Sequence, residues 1–192
     1  MMRLTLLQGA ATEPLTLDDV KAHLRLDGED EDALLGSLIT TSRSHIEVAL
    51  GMALNTQKWR WQADCWPKSG IVELITRPLQ SVERIAVRDN SGADTVIAAS
   101  DYVVDTSGQQ GRIARRSGRW PAPGAKLAGI EIDFWAGYGS DASDVPEAIR
   151  QALKLLVAHW YEVRNPVLIG SLATHVPDTV SELLRPYKVH RI

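Results

Sequence analysis

The spacing of hydrophobic positions switches from helical to alternating and back again along the chain. Met1 to Glu13 alternates weakly through Leu4 and Leu6, which predicts a short strand or an ordered arm. A first helix follows. Thr16 caps it, Asp19 sits at the third position, and Leu15 can staple to Val20. Leu17, Val20, Leu24 and His23 form its inner side, and Asp27-Gly28 ends it. A second helix is predicted from Glu31 to Leu50, with Leu34, Leu35, Leu38, Ile39, Ser42, Ile46, Ala49 and Leu50 inward and Arg43, Ser44 and Glu47 outward. Gly51 is its natural stop. The clearest helix lies between Tyr138 and Arg164. Asp144 reads as its N-cap, Glu147 completes a capping box, and Pro146 falls in the first turn. Val145, Ile149, Ala152, Leu153, Leu156, Val157 and Trp160 make one broad apolar stripe opposite Arg150, Gln151, Lys154 and Glu162. Beyond Pro166 that helix cannot continue. Thr179 and Glu182 frame a short helix with Val180, Leu183 and Leu184 apolar, and Pro186 ends it.

Between these helical ends, Asn55 to Ile132 alternates and is punctuated by turn residues. Strands are expected at Gln57–Ala63, Ile71–Ile75, Val82–Arg88, Thr95–Ala98, Tyr102–Val104, Arg112–Ala114 and Ile130–Trp135. Pro78 makes Arg77 to Val82 an extended connection. Asn90-Ser91-Gly92 is a hairpin turn. Short strands separated by Gly and Pro predict a small antiparallel sandwich or barrel-like region. The fold class is therefore α+β: a helical frame from both chain ends with an inserted β region. The expected division is 1–54 for the first helical part, 55–137 for the β insertion and 138–192 for the second helical part.

At 192 residues the chain can bury a sizeable core. A formal net charge of -3 argues against a protein that grips nucleic acid without regard to sequence. No apolar run is long enough for a bilayer, and Met1 begins no signal peptide, so no membrane partner is expected. The one cysteine, Cys65, excludes an internal disulfide and a cysteine-cluster metal site, and reads as a half-buried apolar thiol. The acidic run Asp27 to Asp32 lacks the spacing of a calcium loop, and its carboxylates favour the start of the second helix. His159 and Glu162 form one His–Glu pair, where a di-iron bundle needs a second copy. No phosphate loop, zinc motif or nucleophile elbow occurs. No catalytic, metal or cofactor-binding residue is assigned, and no cofactor is expected. Two basic spots remain: Arg112, Arg115, Arg116 and Arg119 near Trp120, and the end from Arg185 to Arg191. Basic residues interleaved with tryptophan suit contact with DNA or with a partner.

Several phrases together resemble the head–tail connector, or adaptor, family of long-tailed phages and gene-transfer agents. They are Leu15 to Asp27 with Glu31 to Leu35, Arg77-Pro78-Leu79-Gln80-Ser81-Val82, Ala136-Gly137-Tyr138-Gly139, Val145 to Ala152 with His159-Trp160-Tyr161-Glu162, and Leu183 to Val189. The resemblance implies a structural protein and no enzyme. It implies a cyclic ring, usually a dodecamer, under the portal in the neck of a virion or phage-like particle assembled in the host cytoplasm. Such a ring extends the channel for double-stranded DNA without sequence specificity and docks a stopper or tail-completion protein. It also implies that the carboxy-terminal segment reaches into the portal, which maps here to Arg185, Tyr187, Lys188, Val189, His190, Arg191 and Ile192. The strand insertion departs from the simplest all-helical adaptors. Three other readings stay open: a stopper or tail-completion protein of the same neck, a small hydrolase or carbohydrate-binding module, and a DNA-binding factor with its four arginines on one face.

Overall fold

The computed structural model describes residues 2–108, 110–163 and 177–188. The chain divides into two units. One comprises Met1–Ala11 and Gly51–Tyr138, the other Thr12–Leu50 and Gly139–Ile192. The expected assignment of residues 1–54 to a helical part therefore changes at its start. The first residues form strand β1 (Met2–Gln8), which pairs antiparallel with β2 (Gln57–Ala63) and so belongs with the strands. Weak alternation predicted the strand but held no information about its distant partner.

The strand unit continues with β3 (Ile71–Leu74), β4 (Leu79–Arg88), β5 (Asp94–Val96), β6 (Tyr102–Asp105), β7 (Gly111–Arg115) and β8 (Ile130–Ala136). They form a five-stranded sheet in the order β1-β2-β8-β4-β5 and a three-stranded sheet β3-β7-β6. Every strand pairing is antiparallel. One apolar cluster draws on both sheets, with Trp61, Ile85, Ile132 and Phe134 from the larger and Val72, Leu74, Tyr102 and Ile113 from the smaller. This is a sandwich arrangement, with inward side chains at every second position. The connection expected at Arg77 to Val82 becomes part of β4, because Leu79 already pairs with Ala136. Cys65 is exposed, not half-buried, since it follows the end of β2 where alternation stops.

The outward side of the larger sheet is built from charge. Glu131 and Asp133 on β8 are only 3% and 5% exposed. Arg60 reaches Asp133 with two N–H groups, at 2.6 and 2.8 Å. Gln62 and Arg88 donate to Glu131 at 2.8 and 3.1 Å, and Arg84 at 3.5 Å. Arg84 and Arg88 also share Asp94 on β5. Carboxylates this buried persist only where cations and hydrogen bonds satisfy them. Gly137, just after β8, has φ +133, and a Cβ there would strike the carbonyl of Asn55. Only glycine adopts that backbone without strain.

In the helical unit, α1 (Leu17–Leu24), α2 (Asp32–Leu50), α3 (Glu147–Glu162) and α4 (Asp178–Leu184) pack through their apolar stripes. Thr16 and Asp19 form the expected capping box, and the backbone hydrogen bond at Thr16 is the main reason the Asp19 carboxyl is held low. Helix α1 stops at Leu24, earlier than Asp27-Gly28, because Arg25 turns left-handed. His23 is exposed and not on the inner side. Ile149, Ala152, Leu153, Leu156 and Val157 are buried as the stripe predicts. Asp144 does not cap α3. Val145 precedes a proline and is extended, so the helix starts only after Pro146, while Asp144 accepts from the Asp141 backbone N–H. Thr179 likewise lies inside α4, which follows Pro177, and a short 3-10 turn carries the chain through Pro186. Two positions read as outward are engaged. Arg43 bonds Glu13 and Glu47, and Arg150 bonds the Pro14 carbonyl and Asp19.

Gly137→Ala is expected to lower stability by roughly 1–3 kcal/mol through backbone strain, read as a shift in the urea midpoint at unchanged slope. Glu131→Gln is expected to cost about 1–3 kcal/mol, since it strands Arg84 and Arg88 over a neutral group while leaving them partly hydrated. Full stability of that variant in the same measurement would show that the ion pairs of Glu131 contribute nothing.

Candidate functional site

Two phrases of the strand unit share one pattern, Trp-Pro-x-x-Gly: Trp66 to Gly70 and Trp120 to Gly124. The fold brings them together. Their indole rings stack with centroids 4.3 Å apart and planes within 13°. Each indole N–H donates to a carbonyl of the other phrase, Trp66 to Pro121 at 2.8 Å and Trp120 to Gly70 at 2.7 Å. The exchange satisfies both polar edges and leaves the ring surfaces to line a cleft of about 580 Å³. Arg115 lies 5.8 Å from the Trp120 ring, and Lys68 and Arg119 complete the rim. The charged groups of this lining are all cations.

The four arginines of the first basic spot do not gather on one face. Arg115 and Arg119 meet in the cleft. Arg112, on β7, points to the opposite side by strand alternation and bonds Asp105 on β6 at 2.5 Å. Arg116 donates to the carbonyls of Ser100 and Tyr102. The single face that a DNA-binding factor needs is therefore absent for this set. Trp66 and Lys68 join the cleft although neither belongs to the basic spots marked in the sequence. The repeated Trp-Pro-x-x-Gly phrase is the signal that points to them.

Asp105 is the most perturbed carboxyl here, held down to about 2 by the Ser107 hydroxyl first and the Arg112 guanidinium second. Of the terminal residues, Arg185 and Lys188 are exposed, and Tyr187 is half-buried at the 3-10 turn after α4. Val189, His190, Arg191 and Ile192 lie outside the described residues. Among the described residues no group of three His, Cys, Asp or Glu is placed to hold a metal ion. The cleft lining offers no carboxylate or histidine to act as a general base, which weighs against a hydrolytic centre there.

The family model for phage gp6-like head-tail connector proteins matches residues 14–113. Solved structures match almost the whole chain. One is a chain from the neck of an empty GTA particle computed with C6 symmetry, 26% identical, with a TM-score of 0.84 over 99% of this chain and 97% of that one. Another comes from the virion of a native gene transfer agent (GTA) particle, 28% identical, with a TM-score of 0.82 over 98% and 96%. A third is from the neck of a native GTA particle computed with C12 symmetry, 26% identical, at 0.81 over 99% and 97%. Among curated proteins no sequence matches.

The depressed Asp105 pKa sets a pH effect. Its ionised form is favoured in the folded state, so its contribution is full above the usual carboxylate range and is lost as pH falls toward 2. Ser107→Ala is expected to raise the Asp105 pKa more than Arg112→Gln does, read by NMR titration of the side-chain carboxyl. The reverse order would make the guanidinium, not the hydroxyl, the main support.

Proposed function

Because the chain belongs to the phage gp6-like head-tail connector proteins, we propose that it forms a cyclic ring under the portal of a phage-like particle. The chain is a structural protein and not an enzyme, as the family and its neck relatives are. The observation that carries the ring reading is the near-complete match, with both units included, to chains of particle necks that have sixfold or twelvefold symmetry. We take twelve subunits in the particle, matching the C12 neck. The ring extends the DNA channel and presents a face to a stopper or tail-completion protein. Assembly takes place in the host cytoplasm, and the work is done by contact surfaces.

The physical chemistry agrees with this role. A ring subunit needs two unlike, complementary faces, and rotation closes them. Double-stranded DNA must pass through such a channel without being held. Grip grows with each phosphate neutralised by a lysine or arginine. Here Arg60, Arg84 and Arg88 are committed to Glu131, Asp133 and Asp94, and the chain is net acidic. These cations are paired on the outward face of the larger sheet, which suits passage. The basic end from Arg185 onward, with Tyr187, is the segment assigned to the portal. An end that orders on docking can bury such residues in a groove of its partner.

Deletion of Arg185 to Ile192 is expected to abolish capture by purified portal protein while leaving the thermal transition of the remaining chain in place. Capture undiminished by the deletion would remove the terminal segment from the portal contact. Purified full-length protein is also expected to release duplex DNA at physiological salt. Retention there would contradict the sliding channel.

A further inference from the structure

We infer that the Trp66–Trp120 cleft receives the Asp27–Asp32 loop of a second copy of this chain. The inference rests on the ring reading above and names one contact that holds the ring.

The cleft asks for an anionic occupant. Its rim carries Lys68, Arg115 and Arg119, and its lining holds no carboxylate. Arg115 already shares Asp101 at 3.5 Å. Lys68 and Arg119 are exposed and form no ion pair among the described residues. Between them lie indole surface, Pro67 and Ile71, so the occupant brings backbone or apolar atoms beside its charge. Aromatic faces next to guanidinium groups suit a carboxylate-bearing peptide turn.

The chain carries one stretch of that chemistry. Five of the six residues from Asp27 to Asp32 are acidic. Gly28, at φ +90, turns the backbone and projects the run as a compact loop. Two of its carboxylates are engaged within the helical unit, Glu31 by the Tyr161 hydroxyl and Asp32 by Lys21. They fix the base of the loop. Asp27, Glu29 and Asp30 are exposed and form no ion pair among the described residues. Of the other acidic groups, Asp141 and Asp144 cap each other's turn, and Glu13 and Glu47 hold Arg43. A cationic cleft and an acidic loop are unlike surfaces, as a heterologous ring contact requires. Opposite charges also steer subunits into register and disfavour like-to-like pairing.

The test uses the full-length chain with its tryptophan indoles labelled for NMR. It is titrated at low salt with a synthetic peptide of residues 25–33, and in parallel with the same peptide carrying Asn and Gln for its acids. The acidic peptide is expected to move the Trp66 and Trp120 indole N–H signals, and the neutral peptide to leave them. Lys68→Glu with Arg119→Glu is expected to weaken the acidic peptide at least tenfold. Both side chains are exposed, so that variant should fold, and an unchanged spectrum away from the cleft checks it. Signals unmoved at millimolar acidic peptide, equal shifts with the neutral peptide, or undiminished binding in the variant would each overturn the inference. So would a short duplex DNA moving the same signals while the peptide does not. The titration needs no ring. A chain that binds the peptide yet never assembles keeps the contact and loses the ring, whereas rings formed by the Lys68→Glu, Arg119→Glu variant keep the ring and lose the contact.

Discussion

Strand β8 is the constraint on which the strand unit depends. It is the middle strand of the larger sheet, and both of its faces are buried. Inward, Ile130, Ile132 and Phe134 are fully covered by the apolar cluster. Outward, Glu131 and Asp133 are also buried, but under guanidinium groups. A strand in that position needs two different solutions at alternate residues. Apolar burial serves one face and charge pairing the other. Register then becomes highly specified, because a slip of one residue would place carboxylates in the core and isoleucines under arginine.

That arrangement also sets how the surface behaves. The arginines that close over its carboxylates come from β2 and β4, the two neighbours of β8. A protein with many arginines is often read as a binder of phosphate. Here the count misleads, because position decides which cations are available. Lys68 and Arg119, which form no ion pair among the described residues, sit at the loop cleft in company with stacked indoles.

The helical unit shows a related economy. Buried stripes on α2 and α3 supply most of its cohesion, and a few charged side chains fix the ends of elements. Arg43 clamps Glu13 to α2, and Arg150 joins α3 to the start of α1. His45 and Trp160 meet edge to face between α2 and α3, with ring centroids 5.7 Å apart. Such contacts add direction to packing that the hydrophobic effect alone leaves loosely specified.

The sequence by itself determined the element types, the helical stripes, the alternation of the β region and the family. These are local: a period of about 3.6 or 2, a capping threonine or a turn glycine acts within a few residues. It also carried the Thr16–Asp19 cap and the buried face of α3 correctly. Tertiary structure decided what depends on distant partners. It placed β1 with the strands, since an edge strand joins whichever neighbour offers hydrogen bonds. It moved the start of α3 past Pro146, where steric restriction of Val145 outweighs the capping preference of Asp144. It separated Arg112 and Arg116 from Arg115 and Arg119, and it joined two tryptophan phrases more than fifty residues apart. Pairing across such distances is set by chain closure and core packing, which no short window of residues encodes.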